Sequence, residues 1–226
     1  MPFSSEPRSG ESPAGPVRRP GMWQWLCHAL VEKLEGMQEV YPGLCGFMNW
    51  APVGTYSELV RTELSPKPGD CVLDFGCGRG AFTELFDARG YLGIDLSRAL
   101  VSYARRSHPS YAYAVMDGAS LGLSDVRFDA VLILGVLHHM EDKHVLAALH
   151  EVHQVLKPGG LLLIVEPIPV VSRWNVISRI LKGLDLGDFI RQEEAWHRLV
   201  SSVFSPKKYN QRCIGFNDLV TITCIR

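Results

Sequence analysis

The sequence predicts an α/β fold: a mostly parallel sheet with helices on both faces, closed by an antiparallel hairpin. Two observations carry this. Between residues 71 and 166, short apolar runs alternate with helical patterns, and that alternation builds parallel strands linked by crossover helices. Near the end, two further runs at 208–214 and 219–225 are separated by Asn217-Asp218, a turn signal that makes them a hairpin. The chain has 226 residues, enough for one such domain with additional structure.

Residues 1–21 are rich in Pro, Gly, Ser and Arg without periodicity, and are expected to be a disordered tail. Trp23, Leu26, Leu30, Leu34 and Met37 recur at spacings of three and four, which predicts an amphipathic helix over 22–41, stopped at Tyr41-Pro-Gly. A second helix is expected from Ser57 to Leu64, so that 22–65 forms a helical cap ahead of a main domain at 66–226. Strands are expected at 71–75, 91–95, 111–116, 129–135 and 160–166, and helices at 80–89, 97–107 and 142–156. The last helix carries Val145, Leu149, Val152 and Leu156 on one face and is closed by Lys157-Pro-Gly-Gly. Residues 168–191 read as an insertion, followed by a helix at 193–204 whose first turn holds Glu193 and Glu194.

Composition narrows the function classes. The formal net charge of −1 offers no overall positive field for nucleic acid. No apolar stretch reaches bilayer-spanning length, and Met1-Pro-Phe-Ser-Ser-Glu lacks the layout of a signal peptide. Six cysteines include no C-x-x-C pair, so reduced thiols, a cytoplasmic location and no zinc site are expected.

The chemistry concentrates in Val72-Leu-Asp-Phe-Gly-Cys-Gly-Arg-Gly80 and Gly90-Tyr-Leu-Gly-Ile-Asp95. An apolar strand ends in a loop of glycines at 76, 78 and 80, and a second strand ends in an acid about twenty residues on, where a ribose hydroxyl can be bonded. The glycine spacing is one residue tighter than G-x-G-x-x-G, and an acid leads it. A carboxylate there opposes a pyrophosphate and suits a cofactor bearing an ammonium and a sulfonium.

This pattern resembles the class I S-adenosylmethionine-dependent methyltransferases, in particular the small-molecule type 11 group, over roughly residues 66–226. The resemblance implies a Rossmann-like seven-stranded sheet and S-adenosyl-L-methionine as cofactor. It lays Gly76, Gly78 and Gly80 under the methionine part, with Asp74 helping to hold the amino group. It gives Asp95 the ribose hydroxyls, sets Leu96 against the adenine, and assigns the adenine amino group to Asp117, with Gly118 letting the ring approach. For Asp117, an Asx turn leaving a strand is the competing reading.

Phe128-Asp-Ala-Val-Leu-Ile-Leu-Gly-Val-Leu-His-His-Met140 is a buried strand followed by paired histidines. It lacks the Asn/Asp-Pro-Pro-Tyr of base and glutamine methyltransferases, and Leu137-His138-His139 resembles the small-molecule group. One imidazole can take a proton from an attacking hydroxyl while the other packs. His138 is placed as the better cofactor contact and His139 as the better base. Glu166, ending the fifth strand, binds substrate, holds a catalytic histidine, or bonds local backbone. Trp50, Tyr56 and Trp174 are candidates for the acceptor pocket, as are Trp23 and Trp196. Residues 173–182 form a basic amphipathic segment, read as a lid, with a peripheral membrane contact as the alternative.

The expected reaction is in-line methyl transfer to an oxygen, nitrogen or carbon of a small, possibly lipophilic acceptor, without a catalytic metal. The alternatives are a nucleic-acid or protein methyltransferase and a non-catalytic cofactor-binding partner subunit. The sequence leaves the oligomeric state open.

Overall fold

The computed structural model describes residues 53–123, 127–169, 189–215 and 217–226. The expected tail at 1–21, the cap up to residue 52 and the 173–182 segment therefore lie outside the described residues, as do Trp23, Trp50 and Trp174.

The described chain runs α1 (Val53–Leu64), β1 (Val72–Phe75), β2 (Tyr91–Asp95), α2 (Arg98–Ser107), β3 (Ala112–Val115), β4 (Phe128–Leu134), α3 (Asp142–Val155), β5 (Leu156–Pro167), α4 (Glu193–Ser201), β6 (Ser205–Ile214) and β7 (Asn217–Ile225). The seven strands form one sheet in the order β3-β2-β1-β4-β5-β7-β6. Pairing is parallel from β3 to β5, and β7 runs antiparallel between β5 and β6. The order reverses between β1 and β4, so the carboxyl ends of these strands open a crevice at the switch point.

Core residues cover both faces, as expected for strands that read as continuous apolar runs. On one face, Leu73, Phe75, Val131, Ile133, Leu162 and Ile164 pack against α3 and α4 through Val145, Leu149, Val152, Trp196 and Val200. On the other, Val72, Leu132, Leu163 and Val165 meet Leu59, Val60 and Leu64 of α1, and Val101 and Ala104 of α2. Glu63 fastens α1 to the hairpin: its buried carboxylate accepts from Lys208 Nζ at 3.1 Å and Arg212 Nη2 at 2.8 Å.

Three expectations are corrected. The helix at 80–89 is a series of turns with one 3-10 stretch, Thr83–Leu85. Gly80, at φ +81°, departs from helical geometry at the start of this stretch, and Thr83 turns its hydroxyl inward. Lys157-Pro-Gly-Gly belongs to β5 rather than to a helix end, since Leu156 is already extended and pairs with Phe128. The hairpin turns before Asn217 and not at Asn217-Asp218, because Ile214 pairs with Asn217 and both Asn217 and Asp218 lie in β7. Gly215, at φ +62°, supplies a left-handed residue at that turn.

Candidate active site

The glycine loop leaves β1 at the crevice, and its three glycines have three different reasons. A Cβ on Gly76 would lie 2.3 Å from a methyl of Val136, so Gly76 lets the turn after β4 close on the loop. A Cβ on Gly80 would lie 2.9 Å from Thr83 Oγ1 and 3.0 Å from the Tyr113 hydroxyl, so Gly80 clears room for buried hydroxyls. Gly78, at φ +53°, has nothing within 4 Å of its missing side chain, so its bare backbone faces open space. Of the three, Gly78 is the one positioned for close approach of a ligand.

Two carboxylates flank this loop. Asp95 Oδ2 accepts from Gly78 N–H at 2.9 Å and Oδ1 from Ser97 N–H at 2.8 Å, which fixes the acid at the end of β2. Ser97 caps α2 by accepting from Leu100 N–H, so the helix does not use Asp95 as its cap. Leu96, beside Asp95, is 73% exposed, an apolar side chain left open at the crevice. Asp74 is buried and accepts from the Tyr91 hydroxyl at 2.8 Å. Burial pushes its carboxyl up to about 7, the Tyr91 hydrogen bond opposes that shift, and the nearby Asp95 charge adds to it. A buried carboxylate met by a neutral phenol and repelled by a second carboxylate is a donor set that fits a cationic ligand. It does not fit a pyrophosphate.

Asp117 is exposed at the end of β3, and its Oδ1 accepts from Ala119 N–H at 2.9 Å, so the Asx turn is present. A Cβ on Gly118 would fall 2.0 Å from Cζ of Phe75, so its missing side chain makes room for the Phe75 ring.

The histidine turn lies between β4 and α3, with a 3-10 stretch at Leu137–His139. Glu166, with no exposed surface, organises it from β5. Its Oε1 accepts from Val136 N–H at 2.9 Å and Leu137 N–H at 2.7 Å; its Oε2 accepts from His138 N–H at 3.2 Å and lies 2.8 Å from His138 Nδ1. Of the three roles open to Glu166, the geometry gives it two: it holds His138 and bonds the backbone of the turn. Direct substrate contact is corrected, because four donors saturate the buried carboxylate. His138 is buried, whereas His139 is exposed with its ring 4.0 Å from that of His138.

Arg191 serves the carbonyl side of the same turn. Its Nη1 donates to Leu137 O at 3.1 Å, its Nη2 to Met140 O at 2.5 Å and its Nε to Asp142 Oδ1 at 2.8 Å. Phe189 N–H also donates to His138 O at 2.9 Å. The turn is thus held by a buried anion on its N–H side and a buried cation on its C=O side. Arg191 carries no motif that sequence reading could use, and its role depends on the chain returning from residue 188. Thr83, Tyr91 and Tyr113 were equally invisible, since their meeting needs the turns around Gly80.

Two acceptor-pocket candidates lie among the described residues. Tyr56 is buried on α1, and its hydroxyl bonds the Asn217 side chain at the hairpin tip, on the crevice edge of the sheet. Trp196 is fully buried; its indole N–H donates to Pro167 O at 3.4 Å and its ring lies 4.9 Å from the Arg191 guanidinium. It belongs to the core and not to a pocket wall.

A doubly wound sheet with a glycine loop between two carboxylates at its switch point defines a Rossmann-like nucleoside-binding domain. Residues 73–164 match a family model described as a methyltransferase domain. Over that stretch the chain is similar to the methyltransferase domain family, and S-adenosylmethionine is the cofactor of the class that its motifs resemble. "Probable tRNA methyltransferase 9B" of Mus musculus is 37% identical over 99 residues, 43% of this chain and 22% of the relative. "O-methyltransferase cnsE" of Penicillium expansum is 32% identical over 153 residues, 59% of this chain and 54% of the relative. "Demethylmenaquinone methyltransferase" of Corynebacterium kroppenstedtii is 33% identical over 125 residues, 54% and 53% respectively. The matches thus span 22% to 54% of these curated relatives' own length. The fold is that of a SAM-dependent methyltransferase from Archaeoglobus fulgidus, with a TM-score of 0.65 at 15% identity over 82% of this chain and all of that one.

Proposed function

We propose that this chain is a working methyltransferase that moves a methyl group from S-adenosylmethionine to an oxygen of a small-molecule acceptor, with His138 as the base. The observation that carries the reading is the Glu166–His138 pair set against the glycine loop. Val136 packs on Gly76, so the turn that bears His138 begins at the cofactor loop. Glu166 only accepts, so Nδ1 of His138 carries the proton and the ring's basic lone pair sits on Nε2. A hydroxyl proton taken at Nε2 creates an imidazolium, which the buried Glu166 carboxylate stabilises. This buried carboxylate behind His138 is what moves our assignment of the base from His139 to His138.

S-adenosylmethionine, when bound, supplies an electrophilic methyl on a cationic sulfur. Asp74 and Asp95 oppose each other in its absence and offer two anions to its cationic groups and ribose. Gly78 gives its backbone to the methionine part. Exclusion of water and alignment of the acceptor supply most of the acceleration, about 7–11 kcal/mol.

For the acceptor, the net charge of −1 favours a small, lipophilic hydroxyl compound, as do the shares of the relatives' own length that align: 54% of an O-methyltransferase and 53% of a demethylmenaquinone methyltransferase, against 22% and 32% of two tRNA methyltransferases. The tRNA methyltransferase relative supports the competing reading, transfer to RNA. Release of S-adenosylhomocysteine is measured over two arms, a panel of phenols and reduced quinones, and deproteinised tRNA. Turnover on the phenol arm that falls on His138→Ala, with S-adenosylhomocysteine binding retained, is the expected result. Turnover on tRNA alone would overturn the small-molecule reading, and none on either arm would favour a binding subunit.

A further inference from the structure

Beneath the glycine loop lies a chain of three hydroxyls that the reading above does not use. Thr83, with no exposed surface, donates from Oγ1 to the Tyr91 hydroxyl at 3.0 Å, and Tyr91 donates to Asp74 Oδ2 at 2.8 Å. Thr83 has a single hydroxyl proton, so the 2.9 Å contact between Thr83 Oγ1 and the Tyr113 hydroxyl is donated by Tyr113. All four groups are therefore ordered in one direction, Tyr113 to Thr83 to Tyr91 to Asp74, and each bond polarises the next.

The backbone is shaped to admit this chain. A Cβ on Gly80 would meet Thr83 Oγ1 at 2.9 Å and the Tyr113 hydroxyl at 3.0 Å. A Cβ on Gly93, the β2 partner of Asp74, would lie 2.7 Å from the Tyr113 ring and 2.8 Å from the Tyr91 hydroxyl. Two glycines are thus committed to hydroxyls rather than to a ligand. The chain ends on the carboxylate that stands two residues before Gly76.

We propose that the Tyr113–Thr83–Tyr91 hydroxyl chain is a positioning device for the cofactor site, which keeps Asp74 ionised and aimed so that it can receive the cofactor's ammonium. The proposal rests on the reading of Asp74 as the anchor of that ammonium. Buried without the chain, the carboxylate would take up a proton and could no longer pair with a cation. The groups facing Asp74 are Tyr91 and Asp95 from β2 and Cys77 from the loop, with Tyr113 of β3 acting through Thr83. Asp95 and burial favour the protonated acid, and the Tyr91 hydroxyl is the group that opposes them.

Calorimetric titration with S-adenosylhomocysteine, which keeps the ammonium, reads the device without turnover. Wild-type affinity should rise as pH is raised through neutrality. Tyr91→Phe should move that midpoint up by about one pH unit, a tenfold loss of affinity below it that closes as the pH is raised. Thr83→Val, one bond further from Asp74, should move it by less, and Thr83→Ser, which keeps the hydroxyl, should restore it. Should Tyr91→Phe fail to fold, the Thr83 pair reads the same chain. A midpoint unmoved in the folded variants, or an equal loss of affinity at every pH, overturns the hydroxyl chain and leaves the cofactor site standing. No binding by the wild type removes the site and the device together.

Discussion

Replacing Glu166 by glutamine is the perturbation that the histidine turn makes quantitative. The carboxylate takes four donors, two on each oxygen. An amide keeps one acceptor. With its oxygen toward Val136 and Leu137, its NH2 faces His138 N–H at 3.2 Å and Nδ1 at 2.8 Å. The backbone donor then loses its partner inside the core, at about 1–3 kcal/mol, and a charge-assisted bond to the ring becomes a neutral one. The expected loss of stability is about 2–4 kcal/mol, read by urea denaturation. The ring must also accept at Nδ1, which moves its proton to Nε2 and removes the lone pair from the face that takes the substrate proton. Turnover should therefore fall roughly 10²–10⁴-fold, while affinity for S-adenosylhomocysteine stays close to that of the wild type. His138→Ala should lose as much turnover but less stability, because the three backbone bonds to Glu166 survive. The double variant should be no slower than either single one, since both remove the same base. If Glu166→Gln keeps wild-type turnover, Glu166 is a structural clamp alone and the base assignment falls.

The glycine loop separates packing from binding. Gly76→Ala should unfold the protein readily, because the new methyl strikes Val136, whereas Gly78→Ala should cost only the left-handed strain of about 1–2 kcal/mol and yet abolish cofactor binding by calorimetry. The buried acid gives the free protein an inverted pH profile. The Asp74 pKa stands above its unfolded value, so stability falls as pH rises from about 4 to about 7, by roughly 4 kcal/mol, and Asp74→Asn flattens that slope in melts at varied pH. Asp95→Asn leaves one acceptor for Gly78 and Ser97 and none with full charge for a vicinal diol, so affinity for S-adenosylhomocysteine should fall at least tenfold with little change in melting temperature. Trp196→Ala should destabilise by about 3–5 kcal/mol, and Trp196→Phe should recover most of that in the same denaturation assay.

Strand positions were legible because they depend on period and length alone. β1, β2 and β3 fall within a residue of the expected bounds, and the parallel pairing of β1 to β5 follows from the alternation with helices. The carboxylates at 74 and 95 were legible because each ends an apolar run. Reasons for individual glycines were not, since they are set by what folds back on them. Gly118 is explained by Phe75, 43 positions earlier, and Gly76 by Val136, 60 positions later. The same limit applies to the turns after Gly80. The alternation of strands and helices suggests a helix over 80–89, and the inward hydroxyl of Thr83 decides otherwise. Glu166 was legible as a strand-end acid, but its partner in the turn depends on the parallel register of β4 and β5.

The boundary of the family match divides the site along chemical lines. Residues 73–164 contain both carboxylates, the glycine loop and the two histidines. Glu166 and Arg191, which hold the histidine turn from its two sides, lie beyond it. The family match thus covers the residues that we propose for the cofactor and stops short of the two that hold the turn. What fixes the tautomer of His138 arrives with β5 and the chain before α4. Arg191 also joins the chain ahead of α4 to the turn through Leu137 and Met140, so a change at residues 189–191 is felt at the turn as a displacement of its backbone. On this arrangement, cofactor affinity and acceptor chemistry can vary independently. Substitutions at Asp74 or Asp95 should act on binding, and those at Glu166 or Arg191 on turnover.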